Sequence, residues 1–331
     1  MSPIVHHDPV TARDAQAARK RFAGSGVVRT PLLRLNVDDP HRDIYLKLEN
    51  LQPIGSFKLR GMWNALAGRD QKSLAGGVWT LSAGNAAQGL AWSARRLGVE
   101  CKVVVPDNAP RAKIDAVERL GAQIVAVPIE EWFELAATRT FPGLDALLVH
   151  PFSDRAVMAG NGTIALEVLE DLPDVDTVLV PWGGGGLCCG IGAVLREVAP
   201  AVRVYACEFS PSAPLKASLE AGKVTEVPYG PSFVDGIGAP RTYPEMLELA
   251  QRLGIDALVS PLAEVAAALR LVAGRNHVVV EGAAAVPVAA ALSGAAGAGR
   301  VACVVSGGNI DLDKLAGLLM SGAEANDTAQ A

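Results

Sequence analysis

Short β-branched runs alternate with helical stretches along most of this 331-residue chain, and that alternation constrains the fold more than any other feature. Val78–Leu81, Lys102–Val105, Gln123–Val127 and Ala146–Val149 read as buried strands. The segments between them, Asn85–Leu97, Arg111–Leu120 and Glu130–Thr140, read as helices. Strands joined through helices pair in parallel, because each connection crosses back over the sheet. A second series places strands at Thr177–Pro181, Val202–Cys207, Ala257–Val259 and Arg300–Val305. Its helices lie near Leu187–Val198, Ala213–Ala221, Pro244–Leu253, Glu264–Arg270 and Ala283–Leu292. The N-terminal third adds a helix, Ala12–Phe22, and an extended pair, Leu32–Leu35 and Ile44–Leu48. The expected fold is α/β, two doubly wound parallel-sheet domains with a ligand cleft between them at the carboxyl ends of the strands.

Half of the residues are apolar and a fifth are charged, which suits a well-packed globule. A net charge of −5 argues against a nucleic-acid or anionic-membrane surface, since either needs clustered Lys and Arg. Met1–His7 lacks the basic-then-apolar layout of a signal peptide. No uninterrupted apolar stretch approaches the ~20 residues of a membrane span. The run Gly282–Ala298 is apolar, but Ala- and Gly-rich and broken by Pro287, and it reads as a buried helix. Cys101, Cys188, Cys189, Cys207 and Cys303 are odd in number, lack metal-type spacing and lie in or beside apolar segments. They read as reduced core residues, with the cytoplasm as the expected compartment.

Three glycine-containing segments sit where strands should end. The first, Gly55-Ser56-Phe57-Lys58-Leu59-Arg60-Gly61, opens a helix. By itself Lys58 is either a solvated surface residue or a partly desolvated amine fit to act as nucleophile or general base. The second, Ser82-Ala83-Gly84-Asn85-Ala86-Ala87-Gln88-Gly89, follows a strand directly. It is either an ordinary turn or a set of helix N-terminal amides offered to a carboxylate. The third, Gly183-Gly184-Gly185-Gly186-Leu187, lets backbone approach closely and aims several N–H groups at a phosphate. A dinucleotide fold has the same order, with Glu208 near the place of the ribose-binding acid, but its spacing fails. After Gly184 and Gly186 the third glycine falls on Cys189, and the next glycine is Gly190.

Taken together these segments closely resemble the fold-type II pyridoxal-phosphate family, in its serine/threonine dehydratase and serine racemase branch. The matching stretches are Leu46–Pro53 running into Gly55–Gly61, Ser82–Gly89, His150-Pro151-Phe152 with Ala159–Glu167, Gly183–Leu187, and Ser306-Gly307-Gly308-Asn309-Ile310-Asp311. The resemblance implies that Lys58 holds pyridoxal 5'-phosphate as a Schiff base, with Phe57 against the cofactor ring. It further implies that Asn85 hydrogen-bonds the phenolic oxygen, that Gly183, Gly184, Gly185, Gly186 and Leu187 cradle the phosphate, and that Ser306 meets the pyridine nitrogen. Glu281 matches a residue near the ring, and the turn Ser82, Ala83, Gly84, Asn85 and Ala86 would receive the substrate carboxylate. A large cofactor-binding domain of residues 1–74 plus 149–331, a small substrate-closing domain of residues 75–148 and a homodimer follow by the same resemblance.

The implied activity is dehydration and deamination of a β-hydroxy L-amino acid to a 2-oxo acid and ammonia. A neutral hydroxyl at the pyridine nitrogen keeps carbanion character near Cα and favours expulsion of a β-substituent. Racemase or β-replacement activity on the same scaffold is the alternative, and a non-catalytic nucleotide binder using the 183–186 loop is a third. Several positions depart from the pattern. Ala83 replaces the serine with which the racemases protonate the opposite face, which favours elimination. Ala86 replaces a histidine of most dehydratases, either neutrally or to admit a bulkier substrate such as phenylserine. Trp132 and Phe133 then read as core or as an apolar wall of that pocket. Glu208 matches a divalent-cation ligand, but Pro214 stands where a second carboxylate belongs, so no tight metal site is expected. The sequence runs only a short way past Ser306–Asp311 through a short helix, Leu312–Met320, so no C-terminal regulatory domain is expected, and Glu324–Ala331 reads as a disordered tail.

Overall fold

The computed structural model describes residues 8–321, so the readings of Met1–His7 and Glu324–Ala331 lie outside the described residues. In chain order, α1 (Ala12–Arg21) leads to the strand pair β1 (Leu32–Arg34) and β2 (Arg42–Leu48), then to α2 (Lys58–Ala67) and α3 (Gln71–Leu74). The strands β3 (Val78–Leu81), β4 (Cys101–Pro106), β5 (Gln123–Val127) and β6 (Leu147–Leu148) alternate with α4 (Asn85–Leu97), α5 (Arg111–Glu118) and α6 (Ile129–Thr138). Next come α7 (Arg155–Asp171), β7 (Thr177–Pro181), α8 (Gly186–Val198), β8 (Arg203–Ser210) and α9 (Pro214–Ala221). The remaining elements are α10 (Pro244–Leu253), β9 (Asp256–Pro261), α11 (Leu262–Leu271), α12 (Gly282–Leu292), β10 (Gly299–Val305) and α13 (Leu312–Met320).

The chain divides into two compact units. The first comprises the N-terminal stretch to Arg29, Gln52–Leu166 and Gly184–Val198. Its sheet has the order β5-β4-β3-β6 with every pair parallel. Successive strand residues point to opposite faces, and both faces are apolar, as a doubly covered parallel sheet requires. Val78, Val103 and Val105 pack with Ala87 and Leu90 of α4. Trp79, Leu81 and Val104 pack on the other face with Val127 and Leu135.

The second unit takes Thr30–Leu51, Glu167–Gly183 and the chain from Ala199 onward. Its sheet runs β1-β2-β10-β7-β8-β9. All pairs are parallel except the edge pair β1 and β2, which the short connection from Arg34 to Arg42 makes antiparallel. Ile44, Leu46 and Leu48 of β2 and Val301, Cys303 and Val305 of β10 share a core with Ala283–Ala291 of α12. α12 continues through Pro287 instead of breaking there; it is buried along its length, and packing holds it where propensity alone would not. All five cysteines are buried free thiols, and no helix among the described residues is long and apolar enough to cross a membrane.

Charged side chains are buried in this second unit too. Lys47 of β2 has no solvent exposure. Its Nζ donates to the Thr30 carbonyl at 2.6 Å and pairs with Glu167 Oε2 at 2.6 Å. Glu49, also buried, accepts the Thr30 hydroxyl at 2.5 Å. Removing one partner of a buried pair strands the other charge, so Lys47→Ala is expected to cost about 3–5 kcal/mol of unfolding free energy. The paired change Lys47→Met with Glu167→Leu should recover most of that loss, as measured by urea denaturation.

Candidate active site

In the first unit the helix α2 begins at Lys58 with Phe57 at its N-cap. The Lys58 side chain is half-buried, not a solvated surface lysine. Its Nζ donates to the Pro151 carbonyl at 2.7 Å and lies 5.2 Å from the centre of the Phe57 ring. The helix is anchored just beyond by Arg60, which is fully buried and donates to Thr163 Oγ1 at 3.1 Å and to the Val28 carbonyl at 3.3 Å.

The Ser82–Gly89 segment forms the head of α4. Ser82 Oγ accepts the Gly84 N–H at 3.1 Å, and Asn85 is the first helical residue. The first-turn amides of a helix lie out of reach of its own carbonyls, so the head of α4 turns N–H groups outward. Four residues on, Gly89 faces Lys58 so closely that a Cβ there would lie 3.2 Å from the Lys58 carbonyl. Asn85 and Gly89 share a helix face, so α4 presents Asn85 one turn from its contact with Lys58. Ala83 is half-buried, and Ala86 is buried in the apolar cluster with Met62 and Leu90.

The glycine loop opens α8, and three of its glycines answer distinct needs. Gly185 has φ +86°, a conformation that side-chain-bearing residues rarely adopt. A Cβ on Gly184 would collide with the Phe152 ring, and one on Gly186 with the Phe152 carbonyl. Asn161 of α7 reaches the same place, with Nδ2 donating to the Gly186 carbonyl at 3.3 Å. These helix-head amides, released from side-chain cover, are the kind of backbone that binds a phosphate.

The first unit therefore brings Lys58 and Gly184–Leu187 to the two sides of the turn His150–Ser153, with the Asn85 helix against Lys58. The sequence motifs contained Pro151, Phe152 and Asn161, but nothing in their local pattern assigned them a task. Gly183, Glu281 and Ser306 belong to the second unit. There Gly183 lies close to Ile237, with 3.2 Å between its would-be Cβ and Ile237 Cα. Glu281 stands at the N-terminal boundary of α12, and its backbone N–H donates to the Gly307 carbonyl at 3.0 Å. Its carboxylate lies over Gly307, 2.6 Å from where a Cβ would stand, and Ser306 is buried beside it at the end of β10.

Glu208 and the pair Trp132 and Phe133 have defined surroundings in the structure. Glu208 is buried, with its carboxylate accepting the N–H groups of Leu215 and Lys216 at 2.8 Å each. Pro214 is the first residue of α9 and has no N–H to offer, so Glu208 serves the next two. Burial pushes the Glu208 carboxyl up to about 7 despite those two donors. Among the described residues no group of three or more His, Cys, Asp or Glu side chains is arranged to hold a metal. Trp132 and Phe133 part company. Trp132 packs in the apolar cluster and donates its indole N–H to the Val104 carbonyl at 3.2 Å, whereas Phe133 is 62% exposed.

The model of the family described as "Pyridoxal-phosphate dependent enzyme" matches residues 24–307. An L-threonine ammonia-lyase of Geobacter sulfurreducens is 40% identical over 286 residues, 85% of this chain and 71% of that protein. The catabolic L-threonine dehydratase TdcB of Escherichia coli K12 is 34% identical over 319 residues, 94% of this chain and 97% of that protein. Among solved structures, maize serine racemase superposes with a TM-score of 0.86 at 29% identity, covering 97% of this chain and 100% of that one. The processed form of threonine deaminase isoform 2 from Solanum lycopersicum gives 0.80 at 28% identity, with 95% and 96% coverage.

The loop geometry generates a direct test. Gly186→Ala places a methyl against the Phe152 backbone, which cannot rotate away, and overpacking of this kind costs about 1–3 kcal/mol. The expected result is a lowered unfolding midpoint in urea together with weaker retention of pyridoxal phosphate on dialysis.

Proposed function

This chain belongs to the family of pyridoxal-phosphate dependent enzymes, in the serine/threonine dehydratase branch, and we propose that the bond it breaks is the carbon–nitrogen bond of a β-hydroxy L-amino acid of the threonine or serine type. The products are a 2-oxo acid and ammonia. The observation that carries this reading is the Lys58 amine, half-buried at a helix head and held on the Pro151 carbonyl within the unit that also contains Gly184–Leu187.

The residues present fit the cofactor chemically. Glycine-only backbone at the head of α8 suits its phosphate, a lysine amine suits its aldehyde, and the buried hydroxyl of Ser306 suits a neutral ring nitrogen. Lys58, Phe57, Asn85, Gly183–Leu187, Glu281 and Ser306 are the residues assigned to hold it. When bound, the cofactor supplies an electron sink for the substrate α-carbon.

The chain's own groups then have defined tasks. The Lys58 Nζ is the base for the α-proton, and the Pro151 carbonyl orients it. The amides at the head of α4, with the Ser82–Ala86 turn, receive the substrate carboxylate, and the positive end of the helix dipole favours that anion. Ala83 offers a methyl at a position where the opposite face of the substrate would need a proton donor. With no hydroxyl at position 83, inversion lacks its proton donor, and loss of the β-hydroxyl, which departs with a proton as water, outruns it. Residues 75–148, which contain the whole four-stranded sheet, are assigned as the part that closes over substrate. A cytoplasmic homodimer is the assigned form of the enzyme.

Racemisation is the second reading, favoured by the superposition on maize serine racemase. Chiral analysis of products separates the two: the lyase yields 2-oxo acid and ammonia faster than D-serine, and the reverse order would identify a racemase. The substrate panel is threonine, serine, 3-hydroxyaspartate and phenylserine, the last because Ala86 is smaller than histidine. Lys58→Ala should abolish the yellow colour of the purified protein and lower 2-oxo acid release by about 10²–10⁴-fold, the scale set by loss of a positioned base. Ala83→Ser should raise D-serine formation at the expense of pyruvate.

A further inference from the structure

We infer that the turn His150–Ser153 is a positioning device that sets the Lys58 amine in register with the glycine loop, with Phe152 as its principal residue. This rests on the assignment of Lys58 and Gly183–Leu187 to the cofactor.

The turn is fixed at both ends and across its middle. Val149, which precedes it, is fully buried; its N–H donates to the Trp79 carbonyl at 2.9 Å and its carbonyl accepts the Thr80 hydroxyl at 2.9 Å. Asp154, which follows it, caps α7 by accepting the Ala156 N–H at 2.7 Å. Between them the His150 ring closes the turn on itself. Its Nδ1 accepts the Ser153 N–H at 3.2 Å and lies 2.8 Å from the Ser153 hydroxyl, and both residues are buried. The same ring stands edge-on to the Phe152 ring, 4.5 Å between centroids and 86° between planes, which is a favourable aromatic geometry.

A turn held in this way meets both halves of the candidate site. The Pro151 carbonyl takes the Lys58 ammonium at 2.7 Å. The Phe152 ring and carbonyl occupy the space that side chains on Gly184 and Gly186 would fill. Lys58 and the loop thus share one rigid gauge. If Phe152 shrinks, the loop loses its floor and the neighbouring carbonyl, on Lys58, loses its fixed height. A residue that only filled space would affect stability alone; a gauge also affects the fit of a ligand gripped at both points.

The test uses Phe152→Leu, which keeps apolar bulk without the flat ring, Phe152→Tyr, which restores the ring, and Ser153→Ala, which slackens the turn without touching the loop. Three quantities are measured on the full-length protein: the dissociation constant for pyridoxal phosphate by equilibrium dialysis, the pH midpoint of the bound cofactor's visible absorption, and the thermal midpoint of the apo form. Since ångström-scale misplacement is felt as roughly tenfold to hundredfold effects, Phe152→Leu should weaken cofactor binding about tenfold or more and Ser153→Ala about threefold, both with a displaced pH midpoint. Phe152→Tyr should return both values to within about twofold of wild type, with apo thermal midpoints unchanged within a few degrees. Wild-type affinity and wild-type pH midpoint in either folded variant, Phe152→Leu or Ser153→Ala, would overturn the inference. Failure of the underlying assignment looks different: the wild-type protein would not bind pyridoxal phosphate, or Lys58→Ala would bind it with unaltered absorption.

Discussion

α7 is clamped between α2 and α8 by backbone contacts that leave no room for a methyl group, and the candidate site depends on that clamp. On one side Gly160 faces the Arg60 carbonyl and Gly61, and a Cβ on Gly61 would lie 2.7 Å from Val157. On the other side a Cβ on Gly162 would lie 2.9 Å from the Gly190 carbonyl, and one on Gly190 would collide with the Met158 carbonyl. Helices in such close approach are located by their backbones, which move less than side chains do. The heads of α2 and α8 carry Lys58 and the glycine loop, so their separation is set by the stiffest available part of the molecule. Sites held to the tolerance that catalysis needs are built in this way, on regular elements with a supporting layer behind them. Asn161 lies within the clamp, bonded to Gly186 on one side and directed at Gly61 on the other.

The same economy appears in the treatment of charge. Lys47 and Arg60 are both fully buried, and each meets a carbonyl or hydroxyl at hydrogen-bond distance. Glu208 is buried with its two oxygens on helix-head amides. A charge removed from water without such partners would cost more than the fold can supply. Lys58 differs in kind. It is half-buried and held by a carbonyl on the neighbouring turn.

Much of this architecture was legible from the amino acids. β3, β5, β7, α4 and α10 have the bounds that the sequence predicted, because short apolar runs bounded by turn residues mark the strands and a one-sided apolar stripe marks the helices. α7 was not legible. From Val157 to Val168 its residues are buried all round, which erases the amphipathic signal, and its glycines argue locally against a helix. They are present because two other helices press on it, a fact that resides in α2 and α8. The pair Trp132 and Phe133 was ambiguous for a similar reason, since neighbours on one helix can go to core and to solvent.

By itself, then, the sequence determined the alternation that makes two parallel sheets, the order of the glycine segments and the family they indicate. Each of these is written in residues close together along the chain. Only the tertiary structure separated a lysine buried in an ion pair from one half-buried on a carbonyl, because Lys47 and Lys58 are told apart by partners far away in sequence. Pro151 is 93 residues beyond Lys58, and Glu167 is farther still from Lys47. It likewise decided why the loop is glycine at 184 and 186: Phe152 occupies the space, and no local pattern records what an approaching ring excludes.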